Sequence, residues 1–205
     1  MEQMLGTASS IVRNPTVVGL AATAFSDWFL EEPDTQVREE LLAMTAHLAD
    51  FGEEPLRHAA IAFDSALRAE TPEVSKQNWT KAFALGAHSV TPHESVMRTG
   101  LVMQEPRDAT LSWMRRYGVL PTGDSKEPED HLGLQLALLA HICFIAAKAD
   151  SPETEFSEAK HFAAERLAWI PILEGKLSEA GAAQSVRSGT ALLRVFLEQF
   201  VRDNP

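Results

Sequence analysis

Few side chains in this sequence stand where they could do covalent, redox or metal chemistry. Cys143 lies two residues from His141, a thiol beside a base. Both fall in the apolar run 132–147, where cysteine ordinarily packs as a small core residue. Glu158 and His161 make one Glu-x-x-His step; a carboxylate-bridged di-iron bundle needs that step on two helices and a glutamate from each of two more, and one copy is present. His93-Glu94 begins like H-E-x-x-H, but position 97 is Met, so the zinc motif is incomplete. Neither G-x-x-x-x-G-K-[ST] nor G-x-G-x-x-G occurs, so no phosphate cradle is legible. His47, His58, His88, His93 and His161 show no partner in the sequence and read as surface or satisfied-core residues. The expectation is a protein without catalytic residues, metal or cofactor.

One run does not fit a solvated helix start: Glu127-Pro128-Glu129-Asp130-His131-Leu132-Gly133-Leu134-Gln135-Leu136. The acids suit the positive end of a helix dipole. His131 at the same end does not, because a protonated ring is disfavoured there. Gly133, one turn inside, costs about 1 kcal/mol against Ala, which suggests close approach of another backbone.

These residues have to be positioned by helices. Val37, Leu41, Met44, Leu48 and Phe51 are spaced four, three, four and three apart, as one buried helical face requires. Asp34 reads as an N-cap; Thr71-Pro72 and Ser151-Pro152 each pair a capping hydroxyl with proline at the first helical position. Gly118 reads as the glycine that ends a helix starting near Pro106. Helices are expected over 16–31, 34–51, 55–69, 72–85, 106–117, 129–148, 153–167, 169–180 and 184–202. Strand and hairpin signals are almost absent. The fold class is therefore all-α: one bundle of 205 residues around a central, nearly all-apolar helix packed on every side. The non-helical stretches 86–105 and 119–128 are long for a compact helical protein and tend to carry function. The first of them could divide the bundle in two.

Composition narrows the partners. With 18 Lys+Arg and 29 Asp+Glu the formal net charge is −11, which argues against nucleic acid or an anionic membrane surface and leaves room for a basic partner. A hydrophobic fraction of 45% suits a folded protein rather than a disordered acidic tail. The start, Met1-Glu2-Gln3-Met4, is no secretory signal. The apolar run 132–147, interrupted by Gln135 and His141, is too short to span a bilayer. A single cysteine suits a reducing compartment. The expected location is the cytoplasm.

The run E-P-E-D-H-L-G resembles the E-P-x-D-H-x-G signature of the TorD/DmsD/NarJ group of redox-enzyme maturation chaperones. Other pieces lie in the right order: Trp79 to Phe83 resembles an aromatic-x-x-x-Phe segment, and Val90-Thr91-Pro92-His93-Glu94-Ser95-Val96 a V-x-P-x-E-S-V loop. The stretch 111–118 is similar to the helix before the signature, and Leu167-Ala168-Trp169 to a later H-L-x-x-W element. The resemblance spans about 78–170. Trp79 stands where Tyr is usual, Ala82 where a larger residue is, and Met97 where an aromatic is common.

The resemblance implies a TorD-like all-helical cytoplasmic chaperone that binds the twin-arginine leader, or the apo-form, of a molybdenum-cofactor oxidoreductase and withholds export until the cofactor is inserted. Such a leader requires carboxylates for the guanidinium forks and an apolar wall. Asp130 is the expected carboxylate, with Glu127 or Glu129 adding field. Asp130 and His131 carry over from the family as leader-recognising residues. Pro92, Ser95, Pro128 and Gly133 match the pattern and could shape the loop and helix start. Trp79, Phe83, Trp113 and Tyr117 are the candidate apolar wall, with 86–105 and 119–128 bordering the groove. For Trp169 a core role is the stronger reading. The family's association with guanine nucleotide finds no phosphate loop here, and the oligomer is left as a monomer or a domain-swapped dimer. Two alternatives stay open: a client without a leader, as for nitrate reductases, and a helical small-ligand binder or metal enzyme on the same fold.

Overall fold

The computed structural model describes residues 11–84, 88–119 and 127–202. After a 3₁₀ turn at Ile11–Arg13 come ten α-helices: α1 Pro15–Leu30, α2 Thr35–Phe51, α3 Glu54–Arg68, α4 Pro72–Trp79, α5 Glu94–Thr99, α6 Glu105–Arg116, α7 Leu132–Lys148, α8 Pro152–Arg166, α9 Ile170–Glu179 and α10 Gln184–Arg202. No strand occurs among the described residues; a single antiparallel bridge joins His93 and His131. None of the described helices is long and apolar enough to cross a membrane.

Local signals place the helix ends. Asn14 Oδ1 accepts from the N–H groups of Thr16 and Val17 at 3.0 and 3.3 Å, Asp34 from Val37 at 2.8 Å, and Thr71 Oγ1 from Val74 at 3.3 Å. Pro152 opens α8 as expected, but the Ser151 hydroxyl makes no capping bond there. Gly118 takes φ +67° and ends α6, with the N–H of Val119 reaching back to Met114 O at 2.9 Å. The helix expected over 72–85 changes at Thr80–Ala84 into a π-helical turn. The stretch 86–105 is not all loop, since α5 lies inside it.

Helices α1 and α7 form an antiparallel seam at the centre, with α8 on α7, α2 against α3, and α10 across α3, α8 and α9. Two glycines let the seam close. A Cβ on Gly133 would sit 2.5 Å from Leu30 Cγ and 3.1 Å from Ser26 O; one on Gly19, at the other end, would meet the Phe144 ring at 2.8 Å. Ser26 Oγ donates to Gly133 O across the seam at 2.9 Å. The close approach inferred from Gly133 is thus made by α1.

Two expectations need correction. The central helix is not packed on every side: Ala137 and His141, one turn apart, are exposed, as are Ala147 and Lys148 at its C-terminal end. Phe51 is 65% exposed, and Thr45, fully buried and donating to Asp64 Oδ1 at 3.2 Å, takes a place on the inner face of α2 between Leu41 and Leu48.

Candidate functional site

Two segments nearly forty residues apart are clasped together. The N–H of Glu94 donates to Asp130 O at 3.0 Å, and that of Leu132 to Pro92 O at 2.8 Å, which pairs His93 with His131. Pro128 starts the turn into the clasp, its carbonyl accepting from His131 N at 2.9 Å. Asp130 closes it from the side: Oδ2 accepts from the Ser95 N–H at 2.8 Å in the first turn of α5, where that donor has no intrahelical partner. Thus Pro92, Ser95, Pro128, Asp130 and His131 do come together, and Gly133 seats the same corner on α1.

The acids are not free in the way the sequence suggests. Asp130 has no exposed surface. It is a cap for α5 and offers no open carboxylate to an incoming guanidinium. Glu129 is held in a two-point pair by Arg107, at 2.5 and 3.2 Å, with only 12% of its side chain exposed. Glu127, 45% exposed, lies 3.1 Å from His93 Nε2. The sequence shows acids without partners because those partners, Arg107, His93 and the Ser95 N–H, are distant in the chain.

The histidine puzzle resolves through charge state. His131 Nδ1 accepts from the Gly133 N–H at 3.1 Å, so a neutral imidazole serves as the N-cap of α7. Burial, helped by the adjacent His93, pushes its pKa down to about 3. The two rings meet edge to face at 4.9 Å. His93, which showed no partner in the sequence, is buried; burial lowers its pKa, while Asp130 and Glu127 oppose that shift.

Behind the clasp lies a buried polar network invisible to motif reading. Gln135 donates to Glu94 Oε2 at 2.7 Å and to Thr110 Oγ1 at 3.2 Å, and its Oε1 accepts from Trp169 Nε1 at 3.1 Å. Arg98 Nε lies 2.8 Å from Glu94 Oε1 and Arg166 approaches it at 3.7 Å. Burial raises the Glu94 pKa, against the pull of Arg166, Gln135 and Arg98. The available signal was Gln135 itself, a polar residue in an apolar helix. Trp169, 1% exposed, is core as expected.

The candidate aromatics fall into two sets that no ring contact joins among the described residues. Trp79 is 7% exposed and donates to Trp28 O at 2.6 Å; Phe83, half-buried, meets Trp79, Trp28 and Phe29 edge-on. Trp113, also buried, donates to Glu165 Oε2 at 3.0 Å and stacks at 5° on Tyr117, with Arg116 over both rings. The Tyr117 hydroxyl donates to Glu155 at 3.2 Å, and burial with Glu155 beside it pushes its pKa up to about 12. These rings are therefore wall or core residues more than an open aromatic groove. Of the stretch 119–128, only Val119, Glu127 and Pro128 are among the described residues.

Cys143 is fully buried and its pKa is pushed up to about 12, so no thiolate is available. Glu158 pairs with Arg116 at 2.9 Å and His161 stays 68% exposed. Among the described residues no three His, Cys, Asp or Glu side chains are grouped to hold a metal.

The fold is that of a helical redox-maturation protein. A solved structure, a candidate redox enzyme maturation protein from Archaeoglobus fulgidus, matches 95% of this chain and 99% of its own with a TM-score of 0.53 at 15% identity, a likeness of fold. The nitrate reductase delta subunit family matches residues 30–174, and the chain belongs to that family, the TorD/NarJ group to which D-H-L-G pointed. Chaperone protein TorD from two strains of Vibrio vulnificus, YJ016 and CMCP6, is 27% identical over 115 residues, 53% of this chain and 54% of theirs. The chain spans about half the length of these curated relatives.

Proposed function

We propose that this protein is a cytoplasmic chaperone for the catalytic subunit of a molybdenum-cofactor oxidoreductase, that it binds the client's twin-arginine leader, and that it performs no catalysis itself. The observation that carries this reading is the clasp: the specific D-H-L-G stretch, 127–133, and the loop 90–96 that resembles the family pattern are one structural unit. Asp130 and Glu129 are engaged in holding α5 and α6, which favours a unit that shapes a surface over one that supplies a reacting group. A net charge of −11 favours a leader that carries arginines. The test is titration of the intrinsic tryptophan fluorescence with leader peptides of molybdoenzymes from the same genome, beside Arg→Lys versions of each. Saturable binding weakened by the lysine versions supports the reading, since lysine cannot reproduce the planar fork.

The family's own description favours a second reading, a nitrate-reductase-type client without a leader. Co-purification of this chain with the leaderless apo-subunit, combined with failure of every leader peptide, selects it.

A further inference from the structure

The most exposed apolar stretch in the described chain lies between α5 and α6. Leu101, Val102 and Met103 are 62%, 56% and 61% exposed, three consecutive large hydrophobic side chains in water. Other exposed apolar residues, such as Leu20, Phe51 and Ile172, stand singly, which is ordinary for a protein surface. The loop is also built, not slack. Gly100 turns the chain at φ +77°, and the Thr99 hydroxyl donates to Ser95 O at 2.7 Å while accepting from Leu101 N at 3.3 Å. Gln104 Nε2 closes back on Val102 O at 3.0 Å. Met103 takes φ +57°, a left-handed conformation that a side-chain-bearing residue rarely adopts without a reason.

The two helices that flank this loop are each fastened to the Glu127–Gly133 segment, α5 at its far, N-terminal end and α6 in its first turn. Asp130 caps α5 on its N-terminal side, and Arg107, in the first turn of α6, is held by Glu129. Beside the apolar triplet, Glu105 and Asp108 lie three apart at the start of α6 and share one face. Both are exposed; Glu105 has no ion-pair partner among the described residues, and Asp108, 77% exposed, has only Arg107 at 3.7 Å. The neighbouring cations Arg98 and Arg107 are already matched by Glu94 and Glu129. An apolar triplet beside two open carboxylates is complementary to a peptide in which an arginine pair adjoins an apolar run.

Resting on the chaperone reading, we propose that the loop Leu101–Val102–Met103 with Glu105 and Asp108 is the docking surface for the client leader: the apolar run covers the triplet and the arginine pair meets the two carboxylates. Asp130, His131 and Glu129 then act as positioning residues that hold the loop in its binding shape. A rigid presentation of this kind reduces the ordering cost of association.

The test uses the full chain and a fluorescein-labelled synthetic peptide with an Arg-Arg pair followed by an apolar run of about 12 residues, read by anisotropy. The double variant Leu101→Ser/Met103→Ser, on exposed positions, should keep the helical circular dichroism of the parent and bind about tenfold to a hundredfold more weakly. Glu105→Gln/Asp108→Asn should bind about three- to tenfold more weakly, with a shallower dependence on salt. Phe51→Ser, an exposed apolar change elsewhere, should bind like the parent. Parental binding with undiminished affinity in both double variants overturns the docking surface and leaves the chaperone reading standing. Unchanged peptide affinity with a dimer lost on Leu101→Ser/Met103→Ser, seen by light scattering, overturns it in favour of a second copy of the chain. A parent that binds no leader peptide overturns the leader-binding reading and the surface with it, and leaves the chaperone of a leaderless client.

Discussion

At the scale of residues, Asp130 separates charge from geometry. Asp130→Ala leaves the Ser95 N–H without its buried acceptor and should cost about 1–3 kcal/mol in urea unfolding. Asp130→Asn keeps an acceptor oxygen at the same place. Its expected outcome is near-native stability and near-native leader binding, whereas a carboxylate that itself gripped arginine would lose binding in both variants. His131 predicts a pH dependence. Its folded pKa of about 3 lies below the ordinary 6.5, so the unfolded chain takes up the proton first. Stability is complete above about pH 6.5 and falls as the pH drops from there toward 3. His93, also lowered by burial, acts with the same sign. Glu94, raised by burial, acts with the opposite sign, because it favours the folded state at low pH. His131→Asn keeps an N-cap acceptor without the titration, so the parent should lose unfolding free energy relative to the variant as the pH is lowered from 7 to 4.

At the scale of elements, the α1–α7 seam and the network behind the clasp carry the site. Gly133→Ala puts a methyl 2.5 Å from Leu30 Cγ and 3.1 Å from the Ser26 carbonyl. Backbone on one side limits relaxation, so a loss of about 1–3 kcal/mol in thermal or urea unfolding is expected. Gln135→Leu is close in size but strands Trp169 Nε1 and the buried Glu94 oxygen. Removing one partner from such a network costs more than the bonds it makes, about 2–4 kcal/mol. Amide exchange should localise the damage to α5, the helix that holds Glu94.

At the scale of the whole molecule, the acidic surface and the sealed core make separate predictions. With a net charge of −11, association with an arginine-bearing leader should slow as salt rises, while dissociation changes less. Stopped-flow rates over a salt series measure this directly. Cys143, buried with its pKa near 12, should resist a thiol reagent at pH 8 in the native state and react at once in denaturant. Its native labelling rate then reports opening of the α1–α7–α8 centre, because the thiol is reached only when that packing is lost.

The sequence alone determined the all-α class, most helix ends, the special standing of 127–133 and the family. Those features are local: apolar spacing, caps such as Asp34 and Thr71, and a short run of rare composition are legible without knowing what packs where. Gly133 even announced a close neighbour, though not that the neighbour was α1. What only the tertiary structure decided was the use of each polar group. Asp130 looked like an open carboxylate and is a buried cap; Glu129 is taken by Arg107; His93, without a visible partner, is half of the clasp; Trp79 and Trp113 are walls of different regions. Hydrogen bonds and ion pairs join residues distant in the chain, and a side chain's charge state follows its burial. Neither property has a period or a spacing by which a sequence could display it.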